Sequence, residues 1–255
     1  MIGTADIHVF NKSPNNTNFE QTYTSTDSRI VAVGHGITGW AHEVDGEILD
    51  CLAGDLALAI FFSELDALYS ANETDSAREN DRASGTDNKC EMRGKLTDLL
   101  YKSGDKVKSE APGSSVVAAA AMFNSDFTSV EIAHAGDCRA YLLRNGELNR
   151  LTEDHNVVSE MLTANKISQA EAKKSPFLKF VTRTVARDYE IDQTDLELIA
   201  QDRIFLCTAE LWHLLDEKQL ETLLSNHANA MERMEILSMQ RSAECGWAAA
   251  TLLIS

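Results

Sequence analysis

Ser129-Val130-Glu131-Ile132-Ala133-His134-Ala135-Gly136-Asp137-Cys138-Arg139-Ala140-Tyr141-Leu142-Leu143-Arg144-Asn145-Gly146-Glu147-Leu148 decides the fold. Val130 and Ile132 alternate with Ser129, Glu131 and, after Ala133, His134, the period of two that marks a strand with one buried face. Ala135-Gly136-Asp137 breaks the run, an apolar segment resumes at 140–143, and Arg144-Asn145-Gly146 ends it. Asn and Gly both tolerate positive φ, so this pair between apolar runs predicts a tight hairpin. Short strands with turns at this spacing belong to an antiparallel sheet.

Working outward, residues 115–123 are a compact apolar run closed by a turn at Asn124-Ser125-Asp126. A strand is predicted at 29–33, ended by a turn at Gly34-His35-Gly36. From 43 to 69, Val44, Ile48, Cys51, Leu52, Leu56, Ile60, Leu65 and Leu68 recur at helical spacing. Leu96, Leu99, Leu100 and Val107 mark a second helix over 95–109. Between them, residues 72–91 are almost free of apolar side chains and read as a mobile insertion or a solvated helix extension. Beyond Asp154 the pattern is helical, then 203–207 is a buried strand, helices follow at 216–225 and 228–244, and 251–254 closes as a strand. With no repeat and no Pro-rich linker, residues 1–255 read as a single α+β domain of sheets covered by helices.

Composition narrows the function. Lys plus Arg number 23 against 40 Asp plus Glu, a formal net charge of −17. That excludes nucleic acid, which needs cationic neutralisation of phosphates, and disfavours an anionic membrane surface. The longest apolar run, 116–123, is far short of the roughly 20 residues that cross a bilayer. Cys51, Cys90, Cys138, Cys207 and Cys245 are scattered, odd in number and without C-x-x-C spacing, which fits reduced thiols in a cytoplasmic protein.

Five segments, in order, carry a family resemblance. His134-Ala135-Gly136-Asp137-Cys138-Arg139-Ala140-Tyr141 resembles the N-x-G-D-S-R-x-Y hairpin of the metal-dependent protein phosphatases of type 2C, with His134 for Asn. Leu151-Thr152-Glu153-Asp154-His155 is similar to that family's L-T-x-D-H, and Gly113-Ser114-Ser115-Val116-Val117 to its G-T-T-A. Gln201-Asp202-Arg203-Ile204-Phe205-Leu206-Cys207-Thr208 resembles G-D-x-L-L-L-C-S, and Ala250-Thr251-Leu252-Leu253-Ile254 its last strand. The resemblance implies two stacked antiparallel sheets flanked by helix pairs, an αββα sandwich. It also implies a centre of two Mg²⁺ or Mn²⁺ ions, whose bridging water attacks a phosphoserine or phosphothreonine.

Such ions need several oxygen ligands. The ligand motif D-G-M-G-G falls on Val33 to Gly39, with His35 at the aspartate position in one register and Val33 in the other. C-S-D-G-L falls on Cys207-Thr208-Ala209-Glu210-Leu211, with Ala209 at the ligand position. D-N-x-T falls on Ala248-Ala249-Ala250-Thr251, with Ala248 there. The N-terminal R-x-x-N-E-D is hardly recognisable in Asn15-Asn16-Thr17-Asn18-Phe19-Glu20, and no arginine stands ready to grip the phosphate. Asp137 matches an accessory-metal aspartate.

The sequence therefore predicts a catalytically impaired phosphatase-like domain, a pseudophosphatase serving as a regulatory module for a kinase, phosphoprotein or regulator, with no cofactor. The alternative is a divergent phosphatase with a rearranged Mn²⁺ or Mg²⁺ site in which Glu20, His35, Asp137 and Glu210 rebuild a single centre. Asp154-His155 is expected to be structural, and Cys138 and Cys207 small buried hydrophobes. Trp40, Trp212 and Trp247 each fall beside an altered motif and are expected to fill core space.

Overall fold

The computed structural model describes residues 5–12, 20–38, 49–80, 94–172, 174–185, 190–225, 230–241 and 246–254. Trp40, Cys90 and Cys245 lie outside them. Ten strands are present among the described residues: β1 (Ala5–Lys12), β2 (Glu20–Thr24), β3 (Ile30–Thr38), β4 (Ser114–Phe123), β5 (Ser129–Ala135), β6 (Arg139–Arg144), β7 (Glu147–Arg150), β8 (Asp192–Glu197), β9 (Arg203–Cys207) and β10 (Trp247–Ile254). They form two five-stranded antiparallel sheets, ordered β1-β10-β9-β6-β7 and β2-β3-β4-β5-β8. The long helices are α1 (Leu49–Asn80) and α2 (Lys95–Glu110). A helical segment of short elements follows β7: α3 (Val157–Thr163), α4 (Gln169–Ala172) and a 3-10 turn at Pro176–Lys179. Last come α5 (Ala209–Leu214), α6 (Glu217–Ser225) and α7 (Ala230–Arg241).

Side-chain parity builds the layers. In β3, Ile30 and Ala32 face α1 and α2 and join Leu58, Phe61, Leu65, Leu96 and Leu100, whereas Val31 and Val33 face the other sheet. There they meet Val117, Ala119, Ile204, Leu206, Ala250 and Leu252. On the far side, Tyr141, Phe205 and Trp247 pack against Leu211, Leu220, Leu224 and Met234 of α5, α6 and α7. The result is the αββα sandwich. Strand β4, covered on both faces, is buried at every position, as its unbroken apolar run requires. Burying each such Leu or Val side chain is worth roughly 1.5–3 kcal/mol. At the β6–β7 hairpin, Asn145 and Gly146 take φ of 55° and 84°, the left-handed pair that a two-residue turn demands.

Three sequence expectations are corrected, and two strands appear that were not expected. Gly34-His35-Gly36 is no turn: β3 runs straight through it to Thr38. The glycines serve close approach instead, since a Cβ on Gly36 would lie 2.1 Å from the Gly54 carbonyl oxygen on α1. Of the two readings of the polar stretch 72–91, the helix extension holds as far as Asn80 in α1; residues 81–91 lie outside the described residues. β1 and β2 occupy an N-terminal region whose polar residues hid them, and β10 begins at Trp247 rather than at Thr251. β8 falls in a region read as helical; it is an edge strand carrying Asp192, Asp195 and Glu197, charges that discourage further pairing. No helix among the described residues is long and apolar enough to cross a membrane.

Candidate active site

The strand parity that sends Val31 and Val33 between the sheets also sends His35 there. Its direct cross-strand partner on β2 is Glu20. In this pairing Val33 is a fully buried core residue, and His35 is the side chain presented beside Glu20. Glu20, almost wholly buried, places Oε1 3.5 Å from His35 Nδ1. Its other oxygen, Oε2, accepts a 2.6 Å hydrogen bond from the Thr208 hydroxyl, which itself accepts from the Ala248 backbone N–H at 3.0 Å. Thr208 ends the β9 segment and caps α5, so Glu210 in the first turn of that helix points back at the same place. One donor atom each from Glu20, His35 and Glu210 lie within 4.8 Å of one another.

Ala209 and Ala248 are buried beside this cluster and offer only methyl groups. Asp137 follows β5, buried, with its carbonyl accepting a 2.9 Å bond from the Trp212 indole N–H. Its carboxylate stands outside the close triad, although the charges of Glu210 and His35 reach it. The four candidates thus divide: three converge and Asp137 flanks them.

The electrostatics follow from acids crowded into a dry place. Burial lifts the Glu20 carboxyl to about 8, with His35 pulling it down and Glu210 pushing it further up. Burial, then Glu210 and Asp154, lift Asp137 to about 7, opposed by His35. Glu210 moves the other way: burial pushes it up, but the hydrogen bond with Glu20 and the charge of His35 outweigh that and hold it low. Of the two neighbouring carboxyls, Glu20 thus has the greater affinity for a proton and Glu210 the lesser. Burial disfavours a charged His35, yet the Glu20 hydrogen bond and the Glu210, Glu20 and Asp137 charges raise its affinity for a proton. Three carboxyls gathered around one imidazole form a field that a divalent cation would relax. The donor set of two carboxylates and one imidazole fits one such ion.

Around the cluster, several residues have structural work. Arg139 donates to both Asp154 oxygens at 2.8 and 2.6 Å, and its guanidinium lies 3.5 Å over the Trp212 ring. Trp212 is thereby pinned between that cation and the Asp137 carbonyl. Trp247 is fully buried and stacks on Phe10 at 4.6 Å. Cys138 and Cys207 are buried free thiols, which burial keeps firmly protonated.

His134, His155 and Asp192 form a second close group, but three of its four ring nitrogens already have hydrogen-bond partners. His155 Nδ1 accepts from the Gly136 N–H at 3.2 Å, so Nε2 carries the proton and donates to Asp192 at 3.1 Å. The His134 ring stacks on His155 at 4.5 Å with Nε2 donating to the Glu153 carbonyl. This is a clasp joining β5, the L-T-x-D-H segment and β8.

Sequence reasoning missed Thr208 as the clamp on Glu20, and it missed His213. The latter lies one turn beyond Glu210, exposed, its ring 3.9 Å from that of Trp212. It senses the charges of Glu210 and of Lys179 from the segment after α3. Its place four positions past Ala209, the altered ligand position, was the available signal.

Comparison with known proteins agrees with this architecture. The family model for protein phosphatase 2C matches residues 15–161. The serine/threonine phosphatase stp of Listeria welshimeri is 29% identical over 129 residues, covering 50% of this chain and 51% of that protein. The match thus spans about half the length of that curated relative. The crystal structure of the Mycobacterium tuberculosis serine/threonine phosphatase PstP/Ppp superposes with a TM-score of 0.73 at 20% identity, covering 99% of each chain. The catalytic domain of the phosphatase PstP in complex with two manganese ions superposes with a TM-score of 0.71 at 19% identity, covering 98% of each. Matched over more than half its length, and folded as the same sandwich, this chain belongs to the protein phosphatase 2C family.

Proposed function

We propose that the chain is a divergent metal-dependent phosphoserine/phosphothreonine phosphatase working through a rearranged metal centre. The observation that carries this reading is the convergence of Glu20, His35 and Glu210 between the two sheets and α5. The expectation of a cofactor-free domain gives way to it, because the carboxylates lost at Ala209 and Ala248 are partly replaced from neighbouring positions. A bound divalent ion would supply an activated water and neutralise charge on the phosphoryl oxygens.

The chain's own residues prepare the place for that chemistry. Thr208 fixes one Glu20 oxygen and leaves the other facing His35. Arg139 and Trp212 hold the floor of the site rigid, which keeps Asp137 in position without the flexibility of an exposed loop. Lys179 brings positive charge close to His213, where a phosphorylated side chain would enter, and burial keeps the His213 imidazole neutral and able to donate a hydrogen bond.

The test is release of phosphate from phosphoseryl and phosphothreonyl peptides as Mn²⁺ is titrated, for the wild type, Glu210→Gln and His35→Ala. The reading expects saturable, metal-dependent turnover that falls at least ~100-fold in each variant. A second reading, a regulatory module for a kinase or phosphoprotein, is favoured by the buried methyls of Ala209 and Ala248. Tight phosphopeptide binding without turnover at any metal concentration would select it.

A further inference from the structure

We propose that Glu20, His35 and Glu210 bind a single transition-metal ion of the Mn²⁺, Co²⁺ and Zn²⁺ class, and that His35 makes the site discriminate against Mg²⁺. The inference rests on the reading of this cluster as a metal centre, and departs from the pair of hard ions that the family resemblance implies.

Three observations lead there. The first is spacing. Two ligands each about 2.1 Å from a common ion stand roughly 3–3.5 Å apart. Glu20 Oε1 and His35 Nδ1 already lie 3.5 Å apart, placed by the β2–β3 register rather than by flexible loops. The second is orientation. Thr208 holds Glu20 Oε2, so Glu20 offers one defined oxygen; a hydrogen-bonded ligand carboxylate of this kind is a usual companion of a bound metal.

The third is charge and donor count. Glu20 and Glu210 balance one divalent ion when His35 is neutral. A second ion would find Asp137 as its remaining carboxylate among the described residues, with Ala209 and Ala248 giving nothing. Mg²⁺ demands near-octahedral oxygen coordination and dehydrates reluctantly, whereas imidazole suits the later first-row metals. Replacing a carboxylate by His35 therefore costs the site both the charge needed for two ions and the hardness needed for Mg²⁺.

The experiment is calorimetric and spectroscopic titration of the full chain, stripped of metal, with Co²⁺, Zn²⁺, Mn²⁺ and Mg²⁺. The expected result is one equivalent of Co²⁺ with visible d–d absorption, displaced by Zn²⁺, and Mg²⁺ binding at least ~100-fold weaker than Mn²⁺. His35→Ala, checked for an unchanged circular dichroism spectrum, loses the cobalt bands. His35→Asp narrows the Mn²⁺ to Mg²⁺ ratio, and Ala209→Asp with Ala248→Asp adds a second equivalent. Two equivalents bound by the wild type, equal affinities for Mg²⁺ and Mn²⁺, or cobalt bands unchanged in His35→Ala would each overturn the proposal. One-to-one cobalt binding without phosphatase turnover would leave it standing while defeating the phosphatase reading.

Discussion

Substituting Gly36 by Ala tests how the site is suspended. The added Cβ would sit 2.1 Å from the Gly54 carbonyl oxygen and 2.6 Å from its carbon, both backbone atoms of α1. Ordinary contact begins near 3.4 Å, so strand and helix must part by roughly 1.3 Å. No side chain can rotate away to absorb that. Parting them loosens the layer in which Leu58, Phe61 and Leu65 pack on β3 and β4. Overpacking of a core costs ~1–3 kcal/mol, and a backbone-on-backbone clash belongs at the upper end, about 3 kcal/mol. Gly34→Ala provides the comparison, because its nearest neighbour is the Leu58 Cδ1 tip at 2.9 Å, which can turn; about 1 kcal/mol is expected. Urea unfolding followed by circular dichroism measures both. Gly36→Ala within ~0.5 kcal/mol of the wild type, or less destabilising than Gly34→Ala, would refute the close-approach argument.

Further expectations concern the neighbours of the cluster. Thr208→Val removes the hydroxyl that donates to Glu20 and accepts from Ala248, so metal affinity measured by calorimetry should fall ~10–100-fold and stability by ~1–3 kcal/mol. Arg139→Ala strips the buried Asp154 carboxylate of its bidentate partner; a loss of ~3–5 kcal/mol in urea unfolding is expected, with Arg139→Lys recovering only part. Burial holds His134 at about 4, below its unfolded value near 6.5. The unfolded chain thus takes up the proton first, and stability falls as pH drops from 6.5 towards 4, by about 3 kcal/mol from this residue. His134→Asn should flatten that limb of the stability profile relative to wild type; parallel profiles would contradict it.

Much of the fold was legible because it is written in local periodicity. The alternation in β5, the Asn145-Gly146 turn and the unbroken apolar run of β4 each have a local cause, and each element formed where its pattern lay. Glycine misled at 34–36, since a turn and a close helix contact leave the same residue in the sequence; only the packing of α1 separates them. β1 and β2 were hidden because edge strands show water one face and need few apolar residues. The site was half legible. Glu20, His35, Asp137 and Glu210 were nameable from motif positions, but that Glu20 and His35 stand directly opposite each other came only from the pairing of β2 with β3. Thr208 could not be read as a clamp, because its partners Glu20 and Ala248 are distant in the chain and meet only when the two sheets stack.

The most direct test of the functional reading is phosphate release from a phosphothreonyl peptide by the purified full chain, with Mn²⁺ present and after chelation. The account predicts turnover with Mn²⁺, its loss on chelation and its return when Mn²⁺ is restored. Absence of turnover at saturating Mn²⁺, with the protein folded and the metal bound, would contradict it.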